Sequence, residues 1–151
     1  MGRTMQNVPM MSTGKWRGEW YVVPHQVIFR DLDFFGHVNN AVFFTYFEWA
    51  RALYWFDVTG ETGPGQIGFI VARAECDFRR QIEMERIEIS VRVSAMRNTS
   101  LDFEYEIRKS DGELAATGKV VVVLYDWATR SKIAIGDDLR RRIEKRAGAV
   151  R

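Results

Sequence analysis

The sequence predicts an α+β domain in which a curved antiparallel β-sheet wraps around one long central α-helix. Two observations predict it. The first is the run Asn39–Asp57, "NNAVFFTYFEWARALYWFD", which holds no glycine or proline and is apolar on nearly every side. Such a run reads as a helix buried most of the way round. The second is the stretch that follows, where three segments alternate apolar and polar residues, a fourth carries an apolar run, and the later ones are joined by short loops. That pattern gives strands with one packed face and one wetter face. A curved sheet with one apolar face is what a greasy helix needs for cover.

Taken in order, residues 1–17 lack periodicity and read as a flexible arm, leaving 18–151 as a single domain. "YVVPHQVIFR" alternates His25, Val27 and Phe29 against Gln26, Ile28 and Arg30, a strand signal with Pro24 expected near its start or on an edge. Asn39 or Asn40 can cap the helix, and Thr45, Glu48 and Arg51 form its narrow polar stripe. Glu48 and Arg51, three residues apart, are expected to pair with each other. "DVTGETGPGQIG" ends the helix with Gly60, Gly63, Pro64 and Gly65. Ile70, Ala72, Ala74, Cys76 and Phe78 then mark the apolar face of one strand. Ile87, Ile89, Val91 and Val93 mark the next, and Leu101, Phe103, Tyr105 and Ile107 the one after. "KSDGE" supplies a hairpin turn, and Val120–Val123 suggests a strand covered on both faces. "GDDLRRRIEKRAG" closes as a short helix, with Leu139 and Ile143 as its thin apolar stripe.

Bulk properties narrow the function classes. The chain has 151 residues and 46% hydrophobic residues, enough for one real core. A formal charge of +2 lends no support to nucleic-acid binding. The single cysteine, Cys76, excludes an internal disulfide and reads as a core residue. No apolar run approaches the ~18 residues of a membrane span, and the N-terminus lacks the apolar region of a secretory signal. A soluble, cytoplasmic protein with no membrane or nucleic-acid partner is the expectation.

Against the greasy helix stands the densest polar cluster of the chain, "RDLDFFGHVNN". Asp31-x-Asp33, Gly36-His37-Val38-Asn39-Asn40 and the aromatic helix with Glu48-x-x-Arg51 together resemble the signature of the hotdog-fold acyl-CoA thioesterases, specifically the 4-hydroxybenzoyl-CoA thioesterase and YbgC-like branch. The resemblance runs from Tyr21 to Leu139, through "DFRRQI", "VRVSAMRNTSLDFEYEI" and "GELAATGKVVVVLYD". It implies hydrolysis of an acyl-CoA to a carboxylic acid and coenzyme A, with no metal and no cofactor, coenzyme A being part of the substrate. It also implies a homodimer with continuous sheets and active sites at the subunit interface, often paired again into a homotetramer.

By that resemblance Asp33 is the catalytic carboxylate, acting as general base or as nucleophile. The oxyanion donor is the backbone N–H of Asn40, seven residues on, where unpaired helix N–H groups meet the positive end of the dipole. Some relatives carry histidine at that position, so a side-chain acid/base role there is lost in this chain while the backbone donor is unaffected. His37 joins the catalytic set, though its plainer role is to hold the loop by hydrogen bonds. Gly36 supplies a backbone conformation other residues resist. Arg79, Arg80, Arg97 and Lys119 are candidates for the coenzyme A phosphates, against the plainer reading of solvated charges at strand ends. The Arg97–Ser100 loop is expected near the active site of a neighbouring subunit. Three other readings stand beside the acyl-CoA thioesterase: an acyl-carrier-protein thioesterase, a non-catalytic acyl-thioester binding protein, and a hotdog dehydratase. The dehydratase is disfavoured because Asp31–Asn40 contains no proline.

Overall fold

A computed structural model describes residues 14–61 and 68–147. The element order is β1 (Lys15–Arg17), β2 (Trp20–Gln26), α1 (Asn40–Thr59), β3 (Phe69–Phe78), β4 (Arg86–Met96), β5 (Ser100–Arg108), β6 (Leu114–Asp126), β7 (Ser131–Lys132) and α2 (Asp137–Ala147). The strands form one antiparallel sheet in the order β1-β2-β4-β5-β6-β3, with β7 added on β6. Helix α1 lies in the concavity of that sheet, as the alternation of the later strands requires: Ile87, Ile89, Val91, Leu101, Phe103, Ile107 and Val122 are all buried beneath it. Among the described residues no helix is long and apolar enough to cross a membrane.

Helix α1 starts where an asparagine can hold its first turn. Asn39 is the N-cap, and its side-chain oxygen accepts the Ala41 N–H at 2.9 Å. The helix ends at Gly60, whose φ of 76° is a conformation other residues adopt at a cost and whose N–H reaches Phe56 O at 2.9 Å. Twenty residues make a rod of about 30 Å. Asn39→Ala is expected to lower unfolding free energy by about 1 kcal/mol, read as a shift in urea midpoint at unchanged m-value. Helix α2 docks through Ile143, which is fully buried, and Arg142 donates to Thr59 O at the end of α1.

Four expectations are corrected. Lys15–Arg17, the end of the segment read as an arm, pairs with Trp20–Val22 as β1; the remainder, 1–13, lies outside the described residues, as do Gly63, Pro64 and Gly65. The strand read through Arg30 stops at Gln26, because the chain turns at Phe29–Asp31 and the Asp31 carboxylate accepts the Ile28 N–H. Pro24 lies on an edge, as expected: β1 reaches only to Val22, so the missing N–H of the proline breaks no ladder. In β3 a bulge at Ala72 shifts the alternation: Phe69 and Val71, rather than Ile70 and Ala72, share the inner face with Ala74 and Cys76.

The fourth concerns α1 itself. Arg51 does not belong to a solvated polar stripe. It is 5% exposed, and its Nη1 donates to the Tyr105 hydroxyl at 2.9 Å. Glu48 stays exposed and makes no ion pair with Arg51 among the described residues. Nor is the helix covered on every side, since Phe44 and Trp49 remain exposed.

Candidate active site

Residues Leu32–Val38 form a loop closed by one aspartate. Asp33 N–H donates to His37 O at 2.7 Å and Gly36 N–H to Asp33 O at 3.1 Å. The Asp33 carboxylate accepts two further backbone bonds on Oδ1, from Phe35 N–H at 2.8 Å and His37 N–H at 3.2 Å. Its Oδ2 has no partner among the described residues. Gly36 has φ +79°, which explains why a glycine stands at the tip. The loop is anchored on both sides: Val38 N–H donates to Ile82 O and Asn39 N–H to Asp31 O.

A cavity of about 320 Å³ opens beside this loop, with Asp33, His37, Asn40, Arg79 and Arg80 in its wall and Phe43 and Phe78 as its apolar side. The Asn40 N–H, first of α1, has no acceptor among the described residues. One unpaired carboxylate oxygen and the positive end of a helix dipole therefore share one cavity, a pairing suited to activating a nucleophile beside a developing oxyanion. Arg79 and Arg80 are held in place by their N–H groups on Ala115 O. Arg80 sits 3.5 Å from Glu113, while Arg79 makes no ion pair among the described residues.

Arg97 and Ser100 are not brought there. Ser100 lies opposite Val123 of β6, whereas the cavity's Phe78 lies opposite Ala116. Seven residues along a strand separate the two ends, roughly 23 Å. Arg97 is already engaged, with the Ser100 hydroxyl and with the carboxylate of Asp102, which also holds Lys119 at 3.0 Å. Burial pushes the Asp102 carboxyl up, but the hydrogen bonds from Arg97 and Lys119 outweigh it and hold the group below its usual range.

Two residues to which the sequence assigns no part in the site support the loop from behind. The Tyr46 hydroxyl donates to Asp31 Oδ2 at 2.7 Å, and the His25 ring packs on Tyr46 at 4.9 Å between centroids. Burial and the Asp31 carboxylate hold the Tyr46 hydroxyl protonated far above its ordinary range. Burial likewise lowers the His25 pKa, against the opposing pull of Asp31. No local signal in the sequence links Tyr46 to Asp31, fifteen positions away. Among the described residues no three His, Cys, Asp or Glu side chains gather as a metal site.

Comparison with known proteins places this geometry. Residues 27–143 match the model of the thioesterase-like superfamily. The uncharacterized protein YsmA of Bacillus subtilis (strain 168) is 37% identical over 98 residues, which are 64% of this chain and 67% of YsmA. A thioesterase from Thermus thermophilus, solved with coenzyme A and zinc, shares 34% identity at a TM-score of 0.76 and covers 85% of this chain and 94% of its own. A predicted thioesterase from Bacillus stearothermophilus shares the fold at a TM-score of 0.78 and 23% identity, over 84% of this chain and 96% of that one.

Proposed function

The chain belongs to the thioesterase-like superfamily and is a thioester hydrolase with the hotdog fold, and from that premise we propose that it cleaves acyl-CoA at the cavity between the Asp33 loop and the start of α1. The observation that carries the proposal is that Asp33, with one carboxylate oxygen unpaired among the described residues, and Asn40, the first residue of α1, line the same cavity. The thioester carbonyl oxygen accepts the Asn40 N–H. Asp33 takes a proton from water as the water oxygen bonds to the carbonyl carbon. The carbon–sulfur bond then breaks, and the thiolate leaves as coenzyme A and regains the proton. Asp33 as nucleophile gives the same products through an acyl-aspartate. Label in Asp33 after a single turnover in oxygen-18 water identifies the nucleophilic route, since the general-base route puts label only into the product acid.

His37 serves this site through its backbone: its carbonyl accepts from Asp33 N–H and its N–H donates to Asp33 Oδ1. Arg79 and Arg80 flank the opening and suit the coenzyme A phosphates. Phe34 and Phe35, both exposed, give the cavity an apolar approach. Arg79→Ala is expected to raise KM for acyl-CoA about tenfold with kcat little changed, because a phosphate contact binds substrate and transition state alike. The same variant assayed on a simple acyl N-acetylcysteamine thioester, which lacks the phosphates, is expected to match wild type.

We further propose a homodimer. β3 is ten residues long and pairs only with β6 among the described residues, so its outer edge is open to another strand. A second β3 running antiparallel to it puts the far end of the partner's sheet, with its Arg97–Ser100 loop, next to this chain's cavity. That places Arg97 and Ser100 at the site in trans. Thiol release measured over a panel of acyl-CoA and acyl-carrier-protein substrates tests the whole reading. Release from acyl-CoA supports it, release from carrier substrates alone moves it to the carrier-protein variant, and no release from any substrate overturns it.

A further inference from the structure

Arg51 carries a buried charge for which the described residues provide no counter-ion. Its guanidinium lies 5.8 Å over the Phe69 ring, has the neutral Tyr105 hydroxyl as its hydrogen-bond partner, and has no carboxylate within 4 Å among the described residues. The segments outside the described residues contain no aspartate or glutamate to supply one. An uncompensated buried charge is strongly unfavourable, so native proteins pair such groups.

One turn away, Glu48 is exposed and has no ion pair or hydrogen bond among the described residues. Both groups act on the same hydroxyl: burial pushes Tyr105 up to about 12, Arg51 pulls it down and Glu48 pushes it up. Three residues apart on a helix, they share one side of α1, the side on which Arg51 lies over Phe69 of β3. The inner surface of β3 is thinly covered. Ala74 is exposed, as are Val71 and Phe78, and Phe44, one turn before Glu48 on the same side of α1, is exposed as well. An apolar strip with one acid, one base and an open strand edge is complementary to itself.

We propose that Glu48 and Arg51 form two reciprocal ion pairs with a second copy of the chain, Glu48 to the partner's Arg51 and Arg51 to the partner's Glu48. The proposal rests on the homodimer reading above and adds what locks it. In a two-fold interface residue i meets j while j meets i. Two α1 helices running antiparallel about an axis near Trp49 and Ala50 exchange positions 48 and 51. The same axis sets two β3 edges antiparallel. Docking then neutralises Arg51 and covers Phe44, Val71 and Phe78 in one step.

The test uses charge variants of the full chain, with dimer dissociation constants from sedimentation or native mass spectrometry. Glu48→Lys makes both groups basic and is expected to weaken its own dimer at least about a hundredfold, because like charges then face each other twice. Arg51→Glu makes both acidic and fails in the same way. Mixed, the two variants carry opposite charges across the axis but like charges within each chain. A mixed dimer within about tenfold of wild type supports pairing between copies and excludes pairing within one. Should Arg51→Glu not fold alone, Arg51→Gln takes its place, and its mixed dimer with Glu48→Lys, regaining one pair, is expected to be about tenfold tighter than the Glu48→Lys homodimer. A Glu48→Lys dimer as tight as wild type, or a mixed dimer no tighter than the Glu48→Lys homodimer, overturns the ion pairs and leaves the homodimer standing. A wild type that is monomeric at tens of micromolar overturns both, and thiol release by that monomer keeps the hydrolase reading separate.

Discussion

Asp33→Asn is expected to lower kcat/KM for acyl-CoA hydrolysis by about a thousandfold while the protein stays folded. The structure makes this substitution a clean one. Asp33 Oδ1 caps the loop by accepting from Phe35 and His37, and the asparagine carbonyl oxygen accepts the same two bonds. What changes is the second oxygen, which becomes an NH₂ group that neither accepts a proton from water nor attacks a carbonyl. Stability by urea denaturation is expected to move by less than about 1 kcal/mol. Asp33→Ala removes the cap as well, so it is expected to lose stability along with activity. An asparagine variant that retains half of wild-type turnover sinks Asp33 as the reacting group, whatever the alanine variant does.

Phe47→Ala is expected to carry the largest stability loss, about 3–5 kcal/mol. Phe47 is fully buried at the centre of α1 and stacks on Tyr105 with ring centroids 4.3 Å apart. Its edge occupies the space where β6 has no side chain: a Cβ on Gly118 would lie 2.4 Å from the Phe47 ring. Gly118→Ala is accordingly expected to cost about 1–3 kcal/mol by overpacking. The double variant then relieves the clash, so its loss is expected to fall below the sum of the two single losses. Additive losses would mean that the ring and the strand do not press on each other. All four proteins are compared at one concentration, because dimerisation adds to apparent stability by mass action.

Much of the fold was legible because its signals are local. The absence of glycine and proline over α1, the asparagine at its start, Gly60 at its end and the alternation of β4 and β5 are all properties of neighbouring residues. The Asp33 loop was legible for a different reason, a motif specific enough to carry a family resemblance. Its two key residues, Asp33 and Asn40, both line one cavity. The misreadings came where periodicity is broken by a single residue. The Ala72 bulge reversed the first half of β3, and the turn at Phe29–Asp31 imitated a strand. Neither leaves a mark in composition, since a bulge is chosen by the partner strand and a tight turn by what its carboxylate caps.

By itself the sequence determined a long apolar helix, a set of one-faced strands and a polar loop joined to the helix start, because each depends on residues within a few positions of one another. Only the tertiary structure decided which charges are free. Arg51 reads on paper as the partner of Glu48, yet folding turns it inward to Tyr105 and leaves Glu48 outside. Arg97 sits beside Asp102, at the end of its own sheet opposite its own cavity, a separation that no local pattern in the sequence reveals. Tyr46 belongs to the buried aromatic run of α1, and its hydroxyl is also the strut beneath Asp31. The reason is the reach of the forces: helix and strand propensities act through the nearest backbone, whereas the pairing of a charge is settled by whatever distant segment the fold brings within a few ångströms.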